Sequence, residues 1–245
     1  MQQLDVVRSK QLSYLAADSK CQVGIVFHDR TPHRVDSVTL VVSQKREGIT
    51  MAQLQRDLLE QVIHPVFAEE GIGLDDETRI NINPEGMILE GGPAVHAGLT
   101  GRKNSDDTYG GFSRHSSAGL SGKDPSRIDR IGAYAARHAA KNIVAAGLAE
   151  ECEVQLSYSI GRTQPVGLRI ETFGTGRLDD EALRNRVAEI FDFRPGGIIR
   201  RFRLRTLPQE YHGSFYRQLA VYGHMGRLDL ATPWEATDAT AELCN

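Results

Sequence analysis

The chain has 245 residues, of which 40% are hydrophobic and 25% are charged, a composition typical of a globular protein with one large domain or two small ones. Its net charge of −3 excludes the basic average surface of a nucleic-acid-binding protein, so no nucleic-acid partner is expected. No apolar run approaches the length of a membrane span, so no membrane partner is expected.

Cysteine usage and the first residues indicate a cytoplasmic protein. Cys21, Cys152 and Cys244 show neither metal-ligand spacing nor a disulfide framework. The opening MQQLDVVRSKQ has no apolar segment behind its charges, so it does not resemble a secretory signal. We therefore expect a reducing, cytoplasmic environment.

The first predicted elements are two strands and a helix. CQVGIVFH from Cys21 and SVTLVVSQ from Ser37 are rich in β-branched residues, which favours strands. The segment MAQLQRDLLEQVIHPVF is predicted to be a helix, with Thr50 and Gln53 forming a capping box at its start. Apolar residues recur on one face of this helix at Leu54, Leu58 and Val62.

A second unit repeats this order of elements. CEVQLSYSI from Cys152 and GLRIETFG from Gly167 are predicted strands, and DDEALRNRVAEIFDF is a predicted helix. Apolar residues spaced four apart on this helix are Leu183, Val187 and Phe191. The repeated β-β-α order predicts an α+β fold of two related two-layer domains, each a sheet with helices on one face, at residues 1–90 and 91–245.

A long stretch between these units, residues 84–130, is rich in Gly, Ser and Asp and is predicted to be a loop. A loop of this length is usually functional or disordered, and we expect a functional one because a strong helix follows at once. Asp124 is expected to cap that helix and Gly147 to end it. Its predicted packing face comprises Ile128, Gly132, Ala135, Ala139 and Ile143.

Cations surround this loop at Arg102, Lys103, Lys123 and Arg127. They include residues of the turns GLTGRK and SGKD, where glycine lets the backbone approach a ligand. SGKD also precedes a helix N-terminus, which attracts phosphate. Lys123 would act as a point charge and Arg102 would grip two phosphate oxygens. Asp129 is a candidate Mg²⁺ ligand beside them.

The alternative to a polyphosphate site is a solvated loop with scattered charge. SSAGLSGKD departs from a phosphate-binding P-loop, because Ser117 replaces its first Gly and Asp124 replaces its Ser or Thr. An isolated carboxylate such as Asp129 is more often a surface group than a metal ligand, and the histidines show no ligand pairing. Spacing alone leaves both interpretations open.

Many longer motifs, in order and spacing, resemble those of the S-adenosylmethionine synthetases. They are ADSKCQV, INPEG, GLTGRK, DTYGG, SGKDPS, AYAAR, AKNIVAAGLA, LSYSIG, ETFGTG, RPGGII and YGHMGR. The resemblance extends from about Asp18 to Thr237. It implies the fold of that family minus its N-terminal domain, whose HPDK and GDQG motifs have no match here.

The resemblance implies a reaction that joins methionine to ATP. The methionine sulfur attacks the ribose C5′ carbon and displaces the triphosphate, which is then hydrolysed to pyrophosphate and phosphate. Because the leaving group is a polyanion, the site must surround it with Lys, Arg and Mg²⁺. Mg²⁺ is therefore the implied cofactor, and a role for K⁺ stays open.

The same resemblance assigns roles to individual residues. The implied ATP- and triphosphate-binding residues are Asp18, Lys20, Arg102, Lys103, Lys123 and Arg127. Lys123, Arg102 and Lys103 are the implied catalytic residues, since they match the family's cations on the leaving group. Asp129 matches the family's Mg²⁺ carboxylate, and Asp18 matches an Asp near the ribose.

Three positions depart from the family pattern. His96 stands where the family usually has an Asp that helps to hold the methionine amino group, and an imidazolium would repel that ammonium. Arg127, also on the methionine side, replaces a common Lys with a group of different shape. Ile88 replaces an aromatic residue beside adenine, so stacking is lost. These changes affect methionine and adenine recognition more than phosphate binding.

Two functions follow from the resemblance. The first is one subunit of a split, oligomeric S-adenosylmethionine synthetase, acting on methionine or an analogue only when a second chain supplies the N-terminal motifs. That chain would be a separate N-terminal domain or a full-length homologue. The second is a non-catalytic regulatory subunit of a complete synthetase. A fragment, a degenerate gene product and a triphosphatase also stay open.

Overall fold

The computed structural model describes residues 1–45, 48–89, 91–92, 95, 105, 108–116, 118–227 and 229–245. The chain divides into two compact units, Met1–Gly98 (unit 1) and Leu99–Asn245 (unit 2). Each unit combines helices with a sheet, which confirms the predicted α+β class. Among the helices of these described residues, none has the length and apolar character needed to cross a membrane.

Unit 1 is built on a long β-hairpin. After helix α1 (Gln2–Lys10), strand β1 (Leu15–His28) pairs antiparallel with strand β2 (Thr31–Gln44). Asp29 and Arg30 connect the strands with φ values of 46° and 69°. Positive φ at both positions is what a two-residue type I′ turn requires.

The predicted helix after β2 is present but irregular. It comprises α2 (Met51–Leu58), a π-helical turn (Leu59–Ile63) and α3 (His64–Glu69). Pro65 cannot donate a backbone N–H to the preceding turn, and the wider π turn lies where that hydrogen bond is lost. The Thr50 hydroxyl accepts the Gln53 N–H at 3.2 Å, which confirms the Thr50 half of the predicted capping box.

Strand β3 (Arg79–Ile82), which the sequence patterns do not reveal, pairs parallel with β2, and the strand order is β1-β2-β3. Parallel strands need a crossover, and the helical segment supplies it. The core of unit 1 contains alternate residues of β2 together with the predicted helix face. These residues are Val38, Leu40, Val42, Leu54, Leu58 and Val62.

Unit 2 is organised around helix α4 (Ile128–Ala145). Strands β4 (Glu153–Ser157) and β5 (Gly167–Glu171) pair antiparallel, and helix α5 (Asp180–Ile190) follows. The remaining elements are α6 (Pro195–Arg201), α7 (Leu207–Glu210), α8 (Phe215–Leu219), a 3₁₀ turn (Pro233–Glu235) and α9 (Thr240–Cys244).

Helix α4 is buried on more than its predicted face. The predicted Gly132, Ala135, Ala139 and Ile143 are buried, and so are Ile131, Tyr134, His138 and Asn142. The C-terminal segment covers the additional face through Trp234, whose side chain is fully buried. The predicted end is confirmed, since Gly147 has φ 68° and the Leu148 N–H bonds the Ile143 carbonyl.

Candidate functional site

In unit 1, the loop after β3 holds the carboxylate of Asp18, which lies on β1. Asp18 Oδ2 accepts the Gly92 N–H at 2.9 Å, and the Asp18 carbonyl accepts the Ser43 hydroxyl at 3.0 Å. Gly91 leaves no room for a side chain, because a Cβ there would lie 2.8 Å from Ser43 Oγ and 3.0 Å from Asp18 Cβ. This close approach orients one carboxylate oxygen toward the loop.

Ile88 lies in the same loop, beside the end of β2. Its carbonyl accepts the N–H of Gln44, the last residue of β2, at 2.8 Å. Lys20 is exposed on β1, opposite Val41 of β2. Unit 1 therefore brings Asp18 and Ile88 to one end of β2, and Lys20 lies farther along β1.

In unit 2, Lys123 and Asp129 meet at the start of α4. The distance from Lys123 Nζ to Asp129 Oδ2 is 2.6 Å. Gly122, which precedes Lys123, has φ 80°, a backbone conformation that glycine adopts without strain. The two side chains keep 29% and 44% of their exposure, so the ion pair is accessible to a ligand.

The predicted cap of α4 is wrong. Asp124 accepts the Ser126 N–H at 2.8 Å in a turn that precedes the helix, and α4 begins only at Ile128. The cause is Pro125, which suits the second position of a β-turn that the Arg127 N–H closes on the Asp124 carbonyl at 3.0 Å. The hydrogen bonds from Ser126 hold the pKa of Asp124 below its usual value.

Arg127 lies at the N-cap position of α4, where it is exposed and makes no side-chain capping bond. Lys123, Arg127 and Asp129 are therefore carried by one short segment at the start of the helix. A helix N-terminus adds partial positive charge to this segment. The combination of cations, helix terminus and a carboxylate suits a phosphate group accompanied by a divalent cation.

Sequence reasoning missed the buried residues that hold this turn. Arg130 donates Nη1–H to the Lys123 carbonyl at 2.6 Å, and Ser121 Oγ lies 2.8 Å from Nε2 of His224. His224 follows Ser121 by 103 positions, so no local spacing indicates the contact. The sequence signals that point to this region are the motifs SGKDPS, which contains Ser121, and YGHMGR, which contains His224.

Part of the long predicted loop is anchored on the sheet and helices of unit 2. The Arg114 side chain forms an ion pair with Glu153 of β4 at 2.7 Å. The Arg137 guanidinium of α4 lies over the Tyr109 ring, 5.4 Å from its centroid. Arg114 and Tyr109 of this loop are thus held by an ion pair and a cation–π contact.

Several predicted site residues lie outside the described part of the chain, namely His96, Arg102 and Lys103. Their roles stay predictions. Among the described residues, no three His, Cys, Asp or Glu side chains form a cluster that could hold a metal ion. Asp129 alone fits a smaller role, since Mg²⁺ often takes one carboxylate together with phosphate oxygens and water.

Comparisons with known proteins agree with the motifs. The family model of the S-adenosylmethionine synthetase central domain matches residues 1–88, and that of the C-terminal domain matches residues 90–236. An S-adenosylmethionine synthase of Trichormus variabilis is 50% identical over 240 residues, 95% of this chain and 57% of the relative. One from Acaryochloris marina is 50% identical over 244 residues, 96% of this chain and 58% of the relative.

A solved structure agrees as well. It is described as an unusual S-adenosylmethionine synthetase from Campylobacter jejuni, and it matches with a TM-score of 0.87 at 31% identity. The match covers 99% of this chain and 63% of that chain. The chain thus spans less than two thirds of the length of each of these relatives.

Proposed function

The chain belongs to the S-adenosylmethionine synthetase family, and from this premise we propose that it supplies the triphosphate-binding part of a methionine adenosyltransferase. The proposed reaction forms S-adenosylmethionine, phosphate and pyrophosphate from ATP and methionine or a methionine analogue. The observation that carries the proposal is the accessible ion pair of Lys123 and Asp129 at the start of α4.

This ion pair suits exchange with a charged ligand. Without ligand, Lys123 Nζ and Asp129 Oδ2 satisfy each other at 2.6 Å. When a triphosphate binds with Mg²⁺, Lys123 would pair with a phosphate oxygen and Asp129 would serve as a ligand of the cation. Neither charge is left unpaired, so the exchange avoids the cost of an isolated charge.

Mg²⁺, when bound, would neutralise charge that develops on the leaving triphosphate. Asp129 would hold it as one oxygen ligand, and Lys123 would act as the phosphate-binding and catalytic cation. Arg102 and Lys103 are proposed to add the remaining cations, and Arg127 to act on the phosphate or methionine side. Catalysis would come from fixed positive groups that stabilise the leaving polyanion.

In unit 1, Asp18 is proposed to contact the ribose and Lys20 a phosphate. The Gly92 N–H occupies one lone pair of Asp18 Oδ2, and a carboxylate retains further acceptor positions for ribose hydroxyls. Ile88 is proposed to lie on the adenine side, where an aliphatic side chain gives apolar contact but no ring stacking. His96 is proposed on the methionine side.

A second chain is proposed to complete the enzyme. The 245 residues contain neither HPDK nor GDQG, the motifs that supply a histidine and metal-binding carboxylates in the family. We propose that a separate N-terminal chain or a full-length homologue provides them within an oligomer. Mg²⁺ is the proposed cofactor, and K⁺ dependence is to be measured.

The test is S-adenosylmethionine formation by the purified chain, measured by chromatography with ATP, methionine and Mg²⁺. We expect no product from this chain alone and product when a chain carrying HPDK and GDQG is added. Lys123→Ala should lower kcat of the assembled enzyme roughly 100- to 1000-fold, with assembly checked by size-exclusion chromatography. Robust turnover by the 245-residue chain alone would overturn the split arrangement.

The alternative is a non-catalytic regulatory subunit of a complete synthetase. The observations that favour it are His96 and Ile88, which replace the family's usual groups for methionine and adenine. Under this alternative, Lys123→Ala and Asp129→Asn would leave the activity of the assembled complex unchanged. A sharp loss of activity with intact assembly would exclude it.

A further inference from the structure

The turn that carries Lys123 is held at both ends by a series of hydrogen bonds, which are partly buried at the turn and buried in their interior. At one end, Arg130 Nη1 donates to the Lys123 carbonyl at 2.6 Å, and Arg130 Nε donates to the Tyr134 hydroxyl at 3.0 Å. At the other end, Ser121 Oγ lies 2.8 Å from His224 Nε2, and His224 Nδ1 lies 2.7 Å from the same hydroxyl. The series of hydrogen bonds therefore runs from Lys123 through Tyr134 back to Ser121.

The interior of this hydrogen-bonded series is buried and closely packed. Arg130, Tyr134 and His224 keep at most 3% of their exposure. The Tyr134 ring stacks on Trp234 with centroids 3.6 Å apart, and Trp234 Nε1 donates to the His224 carbonyl at 2.8 Å. Because the Tyr134 hydroxyl accepts the Arg130 N–H, it can donate its own hydrogen to His224 Nδ1, which leaves Nε2–H for Ser121.

Arg130 is unusual for a residue with a purely structural role. Within the described part of the chain, no carboxylate lies within ion-pair distance of it, although Arg130 is near enough to Asp124 to help lower the pKa of that carboxyl. Its hydrogen-bond partners are a carbonyl and a hydroxyl. Its Cζ lies 5.9 Å from the ring centroid of Tyr134 and 4.7 Å from that of Tyr216. A buried cation without an ion pair is costly, and an apolar side chain would avoid that cost. The charge does, however, add positive potential behind the Lys123 turn, where an anion would bind.

We infer that Ser121, Arg130, Tyr134 and His224 are positioning residues, which hold the Lys123 turn in its binding conformation for the triphosphate group. This inference rests on the proposed role of Lys123. Holding the turn in advance removes part of the ordering cost of binding. A linked network also keeps the Lys123 backbone at a fixed place relative to α4, so that the ammonium starts from a defined position when it meets a leaving polyanion.

The experiment measures binding of inorganic tripolyphosphate to the 245-residue chain by isothermal titration calorimetry with Mg²⁺ present. Tyr134→Phe keeps the ring stacking but removes the linking hydroxyl, and Ser121→Ala removes the other end of the chain. We expect each to weaken binding about 5- to 10-fold. Ser121→Thr keeps a hydroxyl and should restore affinity to within about 2-fold of the original chain.

Tyr158→Phe is the matched control. The Tyr158 hydroxyl donates to the Phe193 carbonyl at 2.8 Å, so this variant also removes one tyrosine hydrogen bond from unit 2, but not one of those that hold the turn. It should leave tripolyphosphate affinity unchanged. If Tyr158→Phe weakens binding as much as Tyr134→Phe, the effect is general destabilisation and the inference is overturned.

Lys123→Ala separates the inference from the proposed function. If Lys123→Ala binds tripolyphosphate normally, the proposed role of Lys123 fails. If Lys123→Ala loses affinity but Tyr134→Phe and Ser121→Ala do not, only the positioning inference fails.

In the double variant Lys123→Ala/Tyr134→Phe, the second change should have no further effect on tripolyphosphate affinity, because Tyr134 acts through Lys123. If Tyr134→Phe does not fold, the comparison of Ser121→Ala with Ser121→Thr tests the inference, because Ser121 has a smaller side chain and these changes disturb packing less.

Discussion

The rings of Tyr134 and Trp234 stack with their centroids 3.6 Å apart and an angle of 5° between their planes. Tyr134 belongs to α4, whereas Trp234 belongs to the 3₁₀ turn near the C-terminus. Trp234 is fully buried and is the chain's one tryptophan. This contact joins the candidate site to the C-terminal segment. Loss of the contact should therefore destabilise both regions.

Replacing Trp234 by Ala should lower the free energy of unfolding of unit 2 by about 3–5 kcal/mol, because a large buried side chain is lost and a cavity remains. Urea unfolding followed by far-UV circular dichroism measures this, since the variant has no tryptophan to report by fluorescence. Ile160→Ala is the control, because Ile160 is fully exposed, and it should change stability by less than about 0.5 kcal/mol. A Trp234→Ala variant as stable as the control would contradict the role of the stack.

Asp129→Asn should change tripolyphosphate binding in opposite directions with and without metal. Without divalent cations, the variant releases Lys123 from its ion pair, so we expect affinity to rise about 2- to 5-fold. With saturating Mg²⁺, the original chain should bind more tightly than the variant, because only the carboxylate is a good Mg²⁺ ligand. Titration calorimetry with and without chelator measures both.

The matched control for Asp129→Asn is Glu150→Gln, which removes another exposed carboxylate from unit 2. It should leave both affinities unchanged. If Asp129→Asn gives the same gain in affinity with Mg²⁺ as without it, Asp129 is not a metal ligand and acts only as the partner of Lys123.

Glu235 should make the stability of unit 2 depend on pH. It accepts a bidentate hydrogen bond from Arg137 at 3.0 and 2.8 Å, and one from Lys141 at 2.8 Å. Burial opposes ionisation, but these hydrogen bonds prevail and lower the pKa of Glu235 to about 2. Because its folded-state pKa lies below the usual value, Glu235 contributes stability above about pH 4.5 and loses it as the pH falls toward 2.

The measurement is the difference in unfolding free energy between the original chain and Glu235→Gln at several pH values. A pKa change of this size corresponds to about 3 kcal/mol, so the difference should be near that value at pH 7. It should narrow steadily below about pH 4.5, since protonation of Glu235 then removes the same charge. The other carboxylates titrate in both proteins, so their contributions to the unfolding free energy cancel in the comparison. A difference that stays constant down to pH 3 would show that the charge of Glu235 does not contribute to stability.

Gly91→Ala should destabilise unit 1 and displace Asp18. The added Cβ would lie 2.8 Å from Ser43 Oγ and 2.9 Å from Ser43 Cβ, and such overpacking typically costs about 1–3 kcal/mol. Thermal unfolding by circular dichroism measures the loss. Gly71→Ala is the control, because nothing lies within 4 Å of its added Cβ. Equal melting temperatures for the two variants would show that the loop does not pack on β1 and β2 as closely as described.

The amino-acid sequence by itself determined the elements that depend on local patterns. Periodic apolar residues predicted the helices after β2 and β5, and Leu54, Leu58, Leu183 and Val187 are all buried as expected. Thr50 and Gly147 also act as predicted, because caps and helix ends depend on residues only a few positions apart. The motifs likewise sufficed to identify the family.

Tertiary structure decided the features that depend on contacts between distant residues. Strand β3 is too short for its own pattern and exists because β2 lies beside it. Asp124 caps a turn that ends at Arg127, because Pro125 favours a β-turn over an earlier helix start. The hydrogen bonds behind Lys123 join residues up to 103 positions apart. Local sequence periodicity cannot predict such pairs, because they form only when folding brings the two segments together and excludes water from between them.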